Sequence, residues 1–175
     1  MGWPERLDNL LWIDKIVKSD PQAKIGLFGI SMGGTTVINT AGEDLPKQVA
    51  VAVEDCGYSS AMAQLEYQMK EQFNLPSFPV LNLAFLIAKS KSDVDLRKAD
   101  SLKQAAKIKI PTLFIHGDKD DFVPFEMLEE LYDAANCEKE MLVIQNAGHG
   151  ASSAVSSALY WSTVSRFVEE AMNKS

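Results

Sequence analysis

Residues Lys24-Ile25-Gly26-Leu27-Phe28-Gly29-Ile30-Ser31-Met32-Gly33-Gly34 constrain this chain more than any other stretch. A short apolar run leads into a serine with glycines at two-residue offsets, Gly29 and Gly33, and the residues beyond it read as a helix. Such a serine sits on a strained turn from strand to helix, and only a residue without Cβ lets the neighbouring backbone pass so closely. The turn drives the Ser31 hydroxyl into open space. It also stands at the start of the helix, where unpaired N–H groups and the positive dipole end would stabilise an oxyanion. We read an elbow that presents a nucleophile. A serine serving only as a helix N-cap is also favoured at such a place, but capping does not require both glycines.

An elbow needs a sheet to stand on, and the chain supplies one. Ile25 to Ile30 is apolar on both faces, the mark of a buried parallel strand, and the helix after Ser31 runs through Thr36, Val37 and Ile38 to a stop at Gly42. Val49–Val53, Thr112–Ile115 and Met141–Ile144 read as three further strands, each followed by a helical pattern. Ahead of the elbow, Leu7, Leu10, Leu11, Ile16 and Val17 recur at helical spacing, predicting an amphipathic helix from Glu5 to Ser19 with Pro4 at its first turn. Strands alternating with helices predict a three-layer α/β fold with a mainly parallel sheet of about four strands and right-handed crossovers. At 175 residues, one domain spanning 1–175 is expected.

One crossover is oversized. About sixty residues separate the second and third strands, against the dozen or so that a crossover needs. They include Tyr67, Phe73, Phe78, Leu81, Phe85 and Leu86, broken by Pro76 and Pro79. We read a helical cap insertion over about residues 58–107, placed at the C-terminal end of a strand where a lid over a site commonly grows. An apolar lid would suit an apolar substrate group; alternatively these aromatics only pack the insertion onto the body.

The chemistry that a serine needs lies downstream. A general base must take its proton, and a third group must orient that base. After the third strand comes His116-Gly117-Asp118-Lys119-Asp120-Asp121-Phe122-Val123-Pro124, and after the fourth comes Asn146-Ala147-Gly148-His149-Gly150. Both come after strand C-terminal ends, the edge where ligands gather in open α/β sheets. His149, between glycines in a turn, has little packing reason to be histidine and reads as the base. Asp118, Asp120 and Asp121 all compete for the acid, and each of them also suits a turn. His116, the only other histidine, ends a buried strand and is read as shaping the loop after it. Asp55 and Cys56 are read as supporting the fold, Trp3, Trp12 and Trp161 as packing residues, and the serines from Ser152 to Ser157 as caps of the last helix.

Composition narrows the function classes. A net charge of -7 argues against nucleic acid or an anionic membrane as a partner. Cys56 and Cys137 lie far apart with no paired histidines, so neither a disulfide framework nor a metal site is suggested. No cofactor is implied. The first residues carry no apolar signal region, and the most apolar window, Phe78 to Ala88, is shorter than the ~18 residues a membrane span needs. A cytoplasmic location is the expectation, unless a targeting segment lies upstream.

With its serine, aspartate and histidine in that order at successive strand ends, the sequence resembles the α/β-hydrolase superfamily, and within it the bacterial serine hydrolases of the serine aminopeptidase-like and esterase-like kind. Gly29-Ile30-Ser31-Met32-Gly33-Gly34, His116-Gly117-x-x-Asp120-x-x-Val123-Pro124 and Gly148-His149-Gly150 carry the resemblance, which covers nearly the whole chain. It implies Ser31 as nucleophile, Asp120 as acid, His149 as base and the Met32 N–H as one oxyanion donor. A small-molecule ester is the implied substrate, with amides or peptides second. The family's earlier strands, and the loop that supplies a second oxyanion donor, do not precede the elbow in this sequence; losing one such donor lowers rates about a hundred- to a thousandfold. The family's strand order would then leave residues 25–30 as an apolar sheet edge, which needs cover. A homodimer through that strand, or an upstream polypeptide, would supply it. The competing reading is a remnant of such an enzyme that acts as a binding or oligomerisation module.

Overall fold

The computed structural model describes residues 1–92 and 95–174. Four parallel strands form the sheet: β1 (Ile25–Ile30), β2 (Val49–Asp55), β3 (Thr112–Gly117) and β4 (Lys139–Ile144), in the order β1-β2-β3-β4. Around them lie α1 (Glu5–Ser19), α2 (Met32–Ala41), α3 (Ala61–Phe73), α4 (Val80–Ser92), α5 (Ser101–Ala105), α6 (Glu126–Ala134), α7 (Ser152–Val155) and α8 (Ser157–Lys174). Side chains alternate across a strand, so each strand feeds two cores. Ala52 and Phe114 pack with Val37, Ile38, Ala105, Leu128 and Leu131 on the face covered by α2, α5 and α6. Val51, Val53, Leu113 and Ile115 pack with Tyr160, Val164 and Phe167 of α8 on the other. The expected three-layer α/β architecture is the one observed.

The two inner strands, β2 and β3, run two residues further than their apolar runs. Glu54 and Asp55 stay in register with Phe114 and Ile115, and His116 and Gly117 with Val143 and Ile144. Polar residues therefore continue the ladder into the site, alternating faces as they go: Glu54 and His116 lie on the α2 side, Asp55 on the α8 side.

The strand before the elbow has the composition of a buried strand but occupies an edge. Among the described residues β1 pairs only with β2, and its Phe28 and Ile30 are exposed. The apolar stripe of α1 likewise outruns its cover. Ile13 is buried with Ile25 and Val49, whereas Leu7, Leu11 and Trp12 face solvent. Trp12, read as a packing residue, is 61% exposed and instead meets the Lys15 ammonium 4.8 Å from its ring centroid. Trp161 stacks on Phe28 at 6.3 Å beside the same edge.

The long β2–β3 connection leaves the body at Ser60 and rejoins it at Asp100, where the two form a single antiparallel bridge. Ser60 caps α3 by accepting from the Ala63 N–H, and Asp100 caps α5 by accepting from the Lys103 N–H. Beyond that bridge α5 belongs to the α2 and α6 layer, with Ala105 wholly buried. In between, α3 holds the loop after β3: Gln64 and Gln68 donate to the Phe122 carbonyl and the Tyr67 hydroxyl to that of Asp121. α4 buries Leu81 and Phe85 but leaves Val80, Leu83, Leu86 and Ile87 exposed. Among the described residues, no helix is long and apolar enough to cross a membrane.

Candidate active site

Ser31 adopts φ 58° and ψ -122°, a conformation that costs a non-glycine residue on the order of 1–3 kcal/mol and persists only where its surroundings impose it. Those surroundings are visible. The Ser31 N–H donates to the Asp55 carbonyl at 2.7 Å, and the Ser31 carbonyl accepts from the Thr35 N–H at 3.0 Å, so the residue is pinned between β2 and the first turn of α2. A Cβ on Gly29 would stand 2.2 Å from the Gly33 carbonyl oxygen, and one on Gly34 would stand 2.9 Å from that of Asp55. A Cβ on Gly33 would meet open space. The close approach expected at Gly29 and Gly33 is thus required at Gly29 and Gly34, because it is the carbonyl of Gly33, not its Cα, that faces its neighbour. Met32 is the first residue of α2, so its N–H lacks a partner within the helix.

The loops after β3 and β4 are locked to each other before they meet the elbow. A Cβ on Gly117 would lie 2.2 Å from the Ala147 carbonyl, which accepts from the Lys119 N–H at 3.0 Å. Asp118 accepts from the Asn146 N–H at 2.6 Å. That use of Asp118 leaves Asp120 to point inward, while Asp121 is exposed. Asp120 Oδ2 stands 2.8 Å from His149 Nδ1, and His149 Nε2 stands 2.8 Å from Ser31 Oγ. A carboxylate oxygen only accepts, so Nδ1 carries the imidazole hydrogen and Nε2 accepts from the serine hydroxyl. Ser31, Asp120 and His149 are therefore brought together in one hydrogen-bonded line. Burial alone would raise the Asp120 carboxyl, but hydrogen bonds from His116, His149 and the N–H groups of Val123 and Phe122 outweigh it and hold the group well below the usual carboxylate range.

Polar residues that the sequence placed in supporting roles have specific partners. His116 Nε2 lies 3.1 Å from Asp120 Oδ2 and 3.0 Å from the Val123 carbonyl. Asp55 accepts from Ser152 Oγ at 3.2 Å and from the Tyr160 hydroxyl at 3.0 Å, and burial raises its carboxyl. Ser152, read as a cap, makes no capping bond; it anchors α7, and with it the His149 loop, to β2. Glu54 was not singled out from the sequence. It is fully buried beneath α2, accepts from the Gly57 N–H at 2.9 Å, and is pushed up to about 7 by burial, against the pull of His116 and of that N–H. The signal that could have found it is an acid closing an otherwise apolar strand.

Cys56 Sγ, an Asp120 oxygen and a His149 nitrogen lie within 4.8 Å of one another, a spacing that a metal ion could bridge. Their electron pairs are committed elsewhere. Both Asp120 oxygens already accept hydrogen bonds, and burial with the neighbouring Asp55 charge pushes the Cys56 thiol up, away from the thiolate a metal needs. The arrangement suits proton transfer. Around it, Met32 and Phe122 are exposed, and the Phe122 ring centroid lies 4.8 Å from that of His149. A concavity of about 560 Å³ lined by Gly42, Asp44, Lys107 and Asn136 sits past the C-terminal end of α2, remote from Ser31.

A parallel sheet with helices on both faces, and a strained serine between its edge strand and the next helix, define an α/β-hydrolase fold. Residues 8–175 match the prolyl oligopeptidase family, and the chain belongs to that family. It is 30% identical to the Bacillus subtilis protein YqkD over 158 residues, which is 90% of this chain and 52% of YqkD. A 60-residue stretch is 42% identical to the AB hydrolase superfamily protein YisY of the same organism, covering 34% of this chain and 22% of YisY. Among solved structures, a Pyrococcus furiosus esterase superposes with a TM-score of 0.73 at 22% identity, over 98% of this chain and 63% of the esterase. A Pyrococcus horikoshii acylaminoacyl peptidase gives 0.70 at 19% identity, over 97% of this chain and 28% of the peptidase. The chain thus spans about half of YqkD's length and under two thirds of the esterase's.

Proposed function

We propose that this chain is a serine hydrolase that cleaves a carboxylic ester, with amides or peptides as the second substrate class, through an acyl-enzyme on Ser31. The observation that carries the reading is His149 placed between two partners, 2.8 Å from Ser31 Oγ on one side and 2.8 Å from Asp120 Oδ2 on the other. Relatives named as an esterase and an acylaminoacyl peptidase support the reaction class.

In this reading Ser31 Oγ attacks the substrate carbonyl carbon while its proton passes to His149 Nε2. The imidazolium so formed is stabilised by Asp120, whose low proton affinity keeps it a carboxylate throughout. The Met32 N–H receives the developing oxyanion. His149 then gives the proton to the departing alcohol or amine. Water, deprotonated by the same nitrogen, releases the acid from Ser31. The exposed side chains of Met32, Ile30 and Phe122 offer an apolar surface to the substrate at the mouth of the site.

A fluorophosphonate probe tests the nucleophile. Labelling of the folded protein, lost on Ser31→Ala, is the expected result; a folded protein that takes no label refutes the reading.

A further inference from the structure

Asp120 uses its two oxygens differently. Oδ2 lies 2.8 Å from His149 Nδ1 and 3.1 Å from His116 Nε2, while Oδ1 accepts from the Phe122 N–H at 2.9 Å and the Val123 N–H at 2.8 Å. An aspartate readily closes a turn on the N–H groups that follow it. Here the far ends of the same two peptides are held as well. A trans peptide is planar, with its C=O and N–H pointing in opposite directions, so whatever fixes the oxygen also fixes the line of the N–H. The peptide that carries the Val123 N–H has the Phe122 carbonyl, which accepts from Gln64 Nε2 at 2.7 Å and also from Gln68 Nε2. The peptide that carries the Phe122 N–H has the Asp121 carbonyl, which accepts from the Tyr67 hydroxyl at 3.2 Å. All three donors come from α3, a helix of the insertion between β2 and β3.

Gln64 and Gln68 stand four residues apart and so share one face of α3. Oε1 of each is buried and, among the described residues, has no hydrogen-bond partner. Buried polar atoms without partners are rare, and each calls for a physical reason. Leucine would fill the same face and leave no oxygen unpaired, so what the two amides contribute is their N–H groups, both spent on one carbonyl. Two donors fill both lone pairs of that oxygen, and hydrogen bonds on it polarise the N–H at the other end of the peptide. The helix is anchored where it acts: Ser60 caps it, and its first residue, Ala61, packs with Val123. We propose that Gln64 and Gln68 are positioning residues for the triad acid: from the cap insertion they hold the Phe122–Val123 peptide with its N–H on Asp120, and so hold Asp120 against His149. In its effect on rate the assignment rests on the serine-hydrolase reading, while its effect on the contact between Asp120 and His149 does not. The same peptide begins at Phe122, whose ring lies 4.8 Å from that of His149, so a shift of this loop disturbs the imidazole from two directions.

Gln64→Leu and Gln68→Leu, made singly and together, test the proposal. Each single variant leaves one donor on the Phe122 carbonyl, so kcat for ester hydrolysis should stay within about threefold of wild type. The double variant leaves none and should lose about ten- to a hundredfold in kcat, with KM within about threefold. Two measurements read the acid directly. The resonance of the hydrogen on His149 Nδ1 should move upfield in the double variant and stay in place in the single ones. The Phe122 and Val123 amides should exchange slowly in the wild type and about tenfold or more faster in the double variant. Rapid exchange of those amides in the wild type, an unmoved His149 resonance in the double variant, or a double loss in kcat that is only the product of the single losses overturns the proposal. If the double leucine variant does not fold, Gln64→Met with Gln68→Met takes its place, and wild-type exchange remains a test that needs no variant. Wild-type protein that neither hydrolyses esters nor takes the fluorophosphonate label refutes the hydrolase reading, and the resonance and amide exchange still decide the role of Gln64 and Gln68.

Discussion

Replacing Glu54 by glutamine should leave stability nearly unchanged at pH 5 and raise it at pH 8. The carboxyl is wholly buried and pushed from its ordinary 4.5 to about 7, roughly 2.5 pH units. At about 1.4 kcal/mol per unit this is about 3 kcal/mol of preference for the protonated form in the folded state. The sign comes from proton binding. Because the folded state holds this proton more tightly than the unfolded state, the stabilisation is complete below pH 4.5 and is lost as the pH rises towards 7. Glutamine has no charge to desolvate. Its oxygen can keep the Gly57 N–H. His116, whose ring is raised in the folded state partly by the Glu54 charge, declines with the same sign in both proteins but less in the variant, which adds to the pH-dependent difference. Asp120 has the opposite sign, since its proton affinity is lowered on folding, and it acts only as the pH falls below the ordinary carboxylate range. Urea denaturation at pH 5 and pH 8 measures the effect. We expect a gain of about 1–3 kcal/mol at pH 8 after allowance for relaxation around the amide. An equal difference at both pH values, or a variant less stable at pH 8, would refute the account of Glu54 as a buried, proton-binding carboxyl.

Asp120→Asn should lower hydrolysis by about 10⁴-fold, since an amide has one acceptor oxygen and cannot serve both the His149 and His116 donors at one position and the Phe122 and Val123 N–H groups at the other, while Asp121→Asn, at an exposed position, should stay within a few-fold of wild type. Ester hydrolysis by the two variants distinguishes them, and the reverse order would assign the acid to Asp121. Gly29→Ala should destabilise by about 3 kcal/mol or more, because the new methyl meets the Gly33 backbone at 2.2 Å, whereas Gly33→Ala should be tolerated. Thermal unfolding compares the pair, and equal losses would show that the elbow relaxes around either methyl. The open edge of β1, beside a groove lined by Trp12, Ile16, Ile25 and Phe28, predicts self-association through that strand. Light scattering with amide exchange of residues 25–30 checks it; a monomeric mass with rapidly exchanging amides counts against it.

Local pattern in the chain was enough to place the elements and the order of the chemistry. Buried strands carry unbroken apolar runs, helices carry their own spacing, and elbow and loop motifs are local, so Ser31 and His149 could be named from the residues, and Asp120 through the family resemblance, before any of them was placed in space. The cover over each element is a long-range matter, and there packing in three dimensions was decisive. The stripe on α1 is apolar by spacing, yet Leu11 and Trp12 remain exposed because neither α2 nor β1 extends over them. Gly33 resembles Gly29 in the motif, but the tight contact falls on Gly34 because β2 passes beneath it. Ser152 reads as a cap until Asp55, ninety-seven positions away, is seen to take its hydroxyl. Glu54 reads as a strand end, and its character comes from the Gly57 N–H, the His116 ring and the backbone of Gly34, which are separated in sequence and adjacent only in the fold. Neighbours along the chain set where a strand or turn forms, but the dielectric and partners around a buried group are made by packing between distant segments, so its proton affinity is written in the folded arrangement alone.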